Sequence, residues 1–320
     1  PQISDITGLE ICNSGSVNLD PSDISGNIVP VGTTYSWVTP SSTSSDVSGV
    51  SGSGDSFTTG TISNLTNTSA TLTYTVTPMV VFTTGGVTTE CEGDDFLVTI
   101  TVNPEPQIDN FTQTICEGED FDEITPVNGD DGVVPSGTTY TWEIAANSSS
   151  SIEGASSNAT ASATISSSEL TLVAGTTSPQ DLIYTVTPTT SEGCDGEDFT
   201  VTITVNPTPT MYLPADIVAC NGEEVTIDFI TDNIGGVTTY EWSVTGPEIG
   251  LPDDTTNITD SDVDITFTAS NPDFEPREVT ITVTPIFTND GVTCTTDQQQ
   301  TFTITVNPEP QIDNFTQTIC

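Results

Sequence analysis

The chain has no lysine and no histidine among its 320 residues, and a single arginine, Arg277, stands against 46 aspartates and glutamates. Each absence removes a chemistry. Without histidine, neither a Ser-His-Asp triad nor a His-containing zinc site can be built. Without lysine there is no Schiff-base amine and no Lys-Asn isopeptide cross-link. At a formal net charge of −45 the chain repels phosphate backbones and anionic lipid heads, which argues against nucleic-acid binding and against direct membrane contact in this region. Carboxylates alone can hydrolyse glycosides, but no acidic pair stands out from the acidic loops, so no catalytic residue is assigned and no enzyme is expected. Helix signals are missing too: no long stretch repeats every 3.6 residues, and the Thr, Val, Ser and Gly content disfavours helix.

What is present is a repeat. Residues 99–116, TITVNPEPQIDNFTQTIC, recur unchanged at 303–320, 204 positions later, and a looser version, TITVNPTP, occupies 202–209. Val102, Val205 and Val306 therefore close successive units, at spacings of 103 and 101 residues. A period of about a hundred residues is the size of a small domain, far beyond a solenoid repeat. The expected units are 1–103, 104–206 and 207–308, with 309–320 opening a fourth. Because the pattern starts and stops mid-repeat, the chain reads as an excerpt of a longer one. The junctions, Asn103-Pro104-Glu105-Pro106, Asn206-Pro207-Thr208-Pro209 and Asn307-Pro308-Glu309-Pro310, each hold two prolines. Proline fixes φ and stiffens an extended link, so a semi-rigid rod is predicted.

Seven cysteines follow the period. Cys12 and Cys91, Cys116 and Cys194, and Cys220 and Cys294 lie 79, 78 and 74 residues apart, and Cys320 opens another pair. No C-x-x-C hairpin is present to hold zinc. The regular spacing predicts disulfides within units, Cys12–Cys91, Cys116–Cys194 and Cys220–Cys294, with Cys320 pairing beyond the window. Such regular disulfides point to an oxidising, extracellular compartment.

Within each unit the apolar residues alternate with threonine. Leu72 to Pro78, Leu182 to Pro188 and Val279 to Pro285 form one strand, and Phe96, Val98, Ile100 and Val102 line the inner face of the last, matched by Phe302, Ile304 and Val306. A third strand carries Thr-Thr-Tyr-x-Trp. Two residues apart in a strand, Tyr35 and Trp37, Tyr140 and Trp142, and Tyr240 and Trp242 share a face, which marks them as core rather than as a sugar-stacking platform. About seven short strands per unit predict an all-β fold of tandem immunoglobulin-like sandwiches. The middle of each unit varies most. It contains Asn64, Asn67, Asn158 and Asn257 in N-x-S/T contexts, which are glycosylation acceptors in a eukaryotic secreted protein or chance matches in a Ser- and Thr-rich chain.

Taken together, Cys-x-Gly-acidic-acidic-Phe, Thr-Thr-Tyr-x-Trp, Tyr-Thr-Val-Thr-Pro and Thr-Ile-Thr-Val-Asn-Pro-x-Pro resemble the PKD-like repeats of giant Bacteroidota surface adhesins of the gliding-motility, SprB-like type. The Asp-Phe-Gly-Asp-Gly turn of typical PKD domains is replaced after the tryptophan by Val38-Thr39-Pro40, Glu143-Ile144-Ala145 and Ser243-Val244-Thr245. The resemblance implies a β-sandwich, type IX export and a place on the cell surface. The expected function is a structural repeat region of an extracellular stalk, filament or adhesin, whose partners are neighbouring repeats and laterally associated copies. The alternatives are modules that bind a surface glycan or protein through the variable loops, and accessory domains of a secreted glycan-degrading enzyme. No cofactor is required. Calcium is the candidate ion, with Asp94, Asp95, Glu105 and Asp109 as ligands where two domain ends meet. The alternating acids of Asp260-Ser261-Asp262-Val263-Asp264 lack the glycine and terminal glutamate of an EF-hand.

Overall fold

The computed structural model describes residues 1–252, 258–259, 265–296 and 298–310. Among them, all regular structure is β apart from one 3-10 turn, Pro21–Asp23. The middle unit shows the plan most simply. Its main sheet runs in the order Phe111–Cys116, Phe199–Asn206, Gln180–Thr189, Thr139–Ile144, Asn158–Ser162. The same order returns in the first unit as Ile6–Cys12, Phe96–Asn103, Ala70–Thr84, Thr33–Trp37, Gly52–Gly54. In the third it is Ile217–Cys220, Gln300–Asn307, Arg277–Asn289, Val237–Thr245, Ile258–Thr259. We call the first two strands of each sheet the opening and closing strands. A smaller second layer covers each sheet, built from pairs such as Glu224–Ile227 with Ile265–Thr268.

The alternation read in the sequence produces the core. In the closing strand of the first unit, Phe96, Val98, Ile100 and Val102 are buried while Leu97 is exposed and Thr99 and Thr101 are half-buried. Each such apolar side chain contributes about 1.5–3 kcal/mol by leaving water. The tyrosine and tryptophan of each third strand are buried in their own unit. In the first unit Trp37 packs on Phe57 at 5.0 Å between ring centres, and Phe57 meets Tyr74 edge-on at 5.1 Å. Two glycines make room for these rings: a Cβ on Gly52 would lie 2.6 Å from Cζ2 of Trp37, and one on Gly49 would collide with the Tyr74 hydroxyl.

The strands expected to end at Pro78, Pro188 and Pro285 run on. Ala70–Thr84 continues into a hairpin with Val87–Glu92, and Arg277–Asn289 does the same with Val292–Thr295. Proline lacks a donor but keeps its acceptor, and the Pro78 carbonyl accepts from the Gly93 amide at 2.8 Å. Each hairpin therefore projects past the start of its closing strand.

The direction of the opening strand fixes where the cysteines lie. It runs parallel to the closing strand, with Cys12 opposite Asn103, Cys116 opposite Asn206 and Cys220 opposite Asn307. The first cysteine of each unit thus sits at its tail, where the chain leaves. The second cysteine lies in or beside the hairpin at the head, where the chain arrives.

Candidate functional site at the joint between units

The first cysteine of one unit is bonded to the second cysteine of the next. Cys12 joins Cys194 and Cys116 joins Cys294, each with 5.6 Å between Cα atoms. This corrects the expected Cys12–Cys91, Cys116–Cys194 and Cys220–Cys294 pairs. Disulfides need Cα atoms within about 7 Å, whereas the eight-residue closing strand that lies between a unit's two cysteines is itself roughly 25 Å long. Tail and head of one unit cannot touch, but the tail of one and the head of the next do. Cys91 and Cys220 are free and exposed. Cys320 lies outside the described residues.

The rest of the joint is packed around the disulfide. The linker residues Asn103, Pro104, Pro106, Asn206, Pro207 and Pro209 are all buried. Gly196 lies against the Pro106 carbonyl so closely that a Cβ would overlap it, and Gly93 is packed in the same way against Pro1. This explains the glycine of Cys-x-Gly: it lets the hairpin pass under the incoming linker. At the second joint the Asn289 amide donates to Oδ1 of Asn206 at 3.0 Å, and the Ile234 amide donates to the Thr177 carbonyl at 3.0 Å. The Glu117 carboxylate accepts from the Thr208 hydroxyl at 2.8 Å. At the first joint Asn13 donates to the Glu105 carboxylate at 3.3 Å.

Comparison with known proteins identifies these units. The PKD-like domain family matches residues 9–106 and 113–209, more than half of the chain. The chain belongs to the PKD-like domain family. No curated protein matches it. Among solved structures it is similar to three N-terminal domains of the bacteriophage RB49 Hoc capsid protein, at 10% identity and a TM-score of 0.40, covering 97% of this chain and 100% of that one. It is also similar to the I67–I69 fragment of titin, at 9% identity and a TM-score of 0.37, covering 96% and 97% of the two chains. A third, Drosophila N-cadherin EC1-4, aligns at 10% identity and a TM-score of 0.26, covering 96% of this chain and 74% of that one.

Some of the acidic residues beside the cysteines hold strands of the PKD-like units together. Asp95 accepts a hydrogen bond from Thr77 at 2.6 Å, and Asp198 accepts one from Thr187 at 2.6 Å. They tie the head of the closing strand to its neighbour. Asp5, Asn110 and Asp216 each accept the closing-strand amide of Leu97, Thr200 or Thr303, at 2.7–2.8 Å. The amide bond from Thr303 holds the Asp216 carboxyl below its ordinary range. The calcium candidates are not brought together: Asp94 and Asp95 lie at the head of the first unit, and Glu105 follows its tail. Asp109 instead takes part in a backbone bond, donating its amide to the Asp131 carbonyl at 3.0 Å. Among the described residues no three acidic or thiol side chains gather as a metal site. Residues 260–264 lie outside them, as does Asn257.

Asn64, one of the N-x-S/T matches, is 1% exposed. Its side-chain amide donates to the carbonyls of Thr68 at 2.9 Å and Val102 at 2.8 Å, and its backbone amide donates to Oδ1 of Asn13 at 2.8 Å. Asn271 repeats these bonds in the third unit with Glu275, Val306 and Asn221. Both asparagines pin the tail loop to the end of the closing strand, and Asn64 is thereby closed to glycosylation. Disulfide-linked PKD-like units of this kind belong to an oxidising, extracellular setting. No helix among the described residues is long and apolar enough to cross a membrane.

Proposed function

We propose that this chain is a load-bearing segment of a long extracellular surface stalk or filament, of the kind carried by giant Bacteroidota adhesins. One observation carries the reading: both joints between the three units are closed by a disulfide from the tail of one unit to the head of the next. A covalent cross-brace between consecutive units, set beside a buried proline linker, restricts bending and twisting, which suits a rod and gives no advantage to a loose string of binding modules. The parallel pairing of opening and closing strands supports the same role. With the bridges reduced, tension along the chain would pull these two strands past each other and load their hydrogen bonds together in shear, so the pairing is a second line of resistance behind the covalent route. In the middle unit six consecutive residue pairs share that load, from Phe111 opposite Val201 to Cys116 opposite Asn206.

Type IX export and a part in gliding belong to this reading through the resemblance to SprB-like repeats. The test is electron microscopy of source cells labelled with an antibody against one unit. Labelled surface fibres much longer than three units are expected; label confined to soluble secreted protein would overturn the proposal.

A further inference from the structure

The two free cysteines occupy the same positions as bonded ones. Cys91 lies opposite Val80 in its hairpin, as Cys294 lies opposite Phe287 in the third unit. Cys194 and Cys294 are 1% and 2% exposed because the preceding unit covers them, whereas Cys91 is open to solvent. Around Cys91 the hairpin exposes Val81, Phe82 and Val87, at 45%, 50% and 66%. The residue matching Phe82 in the third unit is Asn289, which in the formed joint holds Asn206 of the preceding unit. The head of the first unit is thus an uncovered copy of a face that is covered twice elsewhere in the chain.

The tail of the third unit is the complementary half, and it is already shaped. The Cys220 amide donates to Glu223 at 2.8 Å, as that of Cys116 does to Glu119 at 2.9 Å. Gly222 donates to the Ala269 carbonyl as Gly118 does to that of Leu170, and Asn221 to Asn307 as Glu117 does to Asn206, all at 2.7–2.9 Å. The loop around Cys220 therefore holds the bonded geometry with no partner attached.

The geometry points to the Cys91 hairpin and the Cys220 tail as the two halves of the same joint, each built to dock and disulfide-bond a further PKD-like unit that presents the complementary cysteine. The contact is head-to-tail, and a head-to-tail contact that does not close on itself propagates into a filament. In the bonding step the two thiols give up two protons and two electrons to a small disulfide oxidant, which becomes two thiols. The inference rests on the joint, not on the stalk reading, so cell imaging and the disulfide-exchange experiment can fail separately.

The probe is a second copy of this chain. One variant, Cys220→Ser/Cys320→Ser, leaves Cys91 as its free thiol; the other, Cys91→Ser/Cys320→Ser, leaves Cys220. Mixed in equal amounts in a glutathione redox buffer, they exchange until the most stable disulfides dominate. The expected result is a mixed dimer linked Cys91–Cys220, in at least tenfold excess over the two symmetric dimers combined, with the link located by peptide mapping. Adding Val81→Asp and Phe82→Asp to the first variant should return the mixture to the random 1:2:1 ratio. A random ratio without those substitutions, or glutathione adducts with no dimer, would overturn the inference.

Discussion

The inter-unit disulfides make a prediction about length that no other pairing makes. Consider the variant Cys91→Ser/Cys220→Ser/Cys320→Ser, which keeps Cys12, Cys116, Cys194 and Cys294 and so both observed bridges. When the chain is pulled by its ends until every unit has unfolded, the bridges set the limit. The shortest covalent route runs from Pro1 to Cys12, crosses to Cys194, returns to Cys116 and crosses to Cys294. It then continues to the end of the chain. That route is about 115 residues, or about 400 Å at roughly 3.5 Å per residue, against about 1,120 Å for the chain with its disulfides reduced. If the cysteines paired within units, the same variant would keep Cys116–Cys194 alone and would extend to about 840 Å. Optical-tweezer extension with and without reductant separates the three lengths. An oxidised length near 840 Å or 1,120 Å would refute the inter-unit pairing. Each bridge closes a loop of about 180 residues, worth about 5 kcal/mol in the chain-entropy model, so reduction should also lower the melting temperature of the oxidised protein.

Further tests probe single contacts. Gly196→Val sets a side chain against the Pro106 carbonyl, and is expected to destabilise the first joint by about 1–3 kcal/mol, read as faster reduction of Cys12–Cys194 by dithiothreitol than of Cys116–Cys294. Gly52→Ala presses on Trp37, and should lower the urea midpoint of the first unit by an amount equivalent to about 1–3 kcal/mol. Asn64→Ala leaves the Thr68 and Val102 carbonyls without the amide that donates to them, at an expected cost of about 1–3 kcal/mol in chemical denaturation. Burial pushes Tyr35, Tyr140 and Tyr240 up to about 12, with Asp20, Asp131 and Asp228 adding to the shift. Because the folded value exceeds the unfolded one, the neutral tyrosines contribute fully below pH 10 and that stability is lost as pH rises toward 12. The loss is about 3 kcal/mol per unit. Tyr240→Phe, which removes a buried hydroxyl with no hydrogen-bond partner, should remove most of this alkaline loss in the third unit when urea midpoints are compared at pH 8 and pH 11.5.

The sandwich was legible because its signals are local. A strand half in water and half in the core must alternate, and Phe96, Val98, Ile100 and Val102 do so in plain view. Tyr35 and Trp37 share a face for the same reason. Cysteine partners are a different kind of property. Spacings of 79, 78 and 74 residues count chain, not distance, and suit pairing within a unit as well as between units. The decision lies in the register of the opening strand, which runs parallel to the closing strand and carries Cys12 to the level of Asn103. One signal was available. The first cysteine ends its strand, and the second precedes the closing strand by about five residues, so a parallel pairing of the two strands places them at opposite ends. The partners of the acidic residues are likewise hidden from the sequence. Asp95 and Asp198 look like spare negative charge in the sequence, but each answers a threonine hydroxyl one strand away.

Where a unit is braced at both ends, the bridges also decide which residues carry tension. In an array whose Cys220 is bonded to a further unit as proposed above, a covalent route enters at Cys194 and leaves at Cys220, 26 positions on, and the closing strand Phe199–Asn206 and opening strand Ile217–Cys220 along it are already extended. The buried linker between them holds two prolines, which keep it extended as well. Such a route has little slack to release. In such an array, unlike the three-unit chain whose Cys220 is unbonded, the body of the middle unit, from Cys116 round to Cys194, lies off the route as a side loop of 78 positions. Unfolding that body lengthens a loaded array far less than unfolding an unbraced domain of the same size. The sequence is divided along the same line. Its unchanged stretch recurs at 99–116 and 303–320; in the first copy it comprises most of a closing strand, a linker and an opening strand up to the first cysteine, whereas the variable Ser- and Thr-rich middles fall in the side loops. In the proposed rod, a load borne through closing strand, linker and opening strand would constrain those residues and leave the middle of each unit free to change.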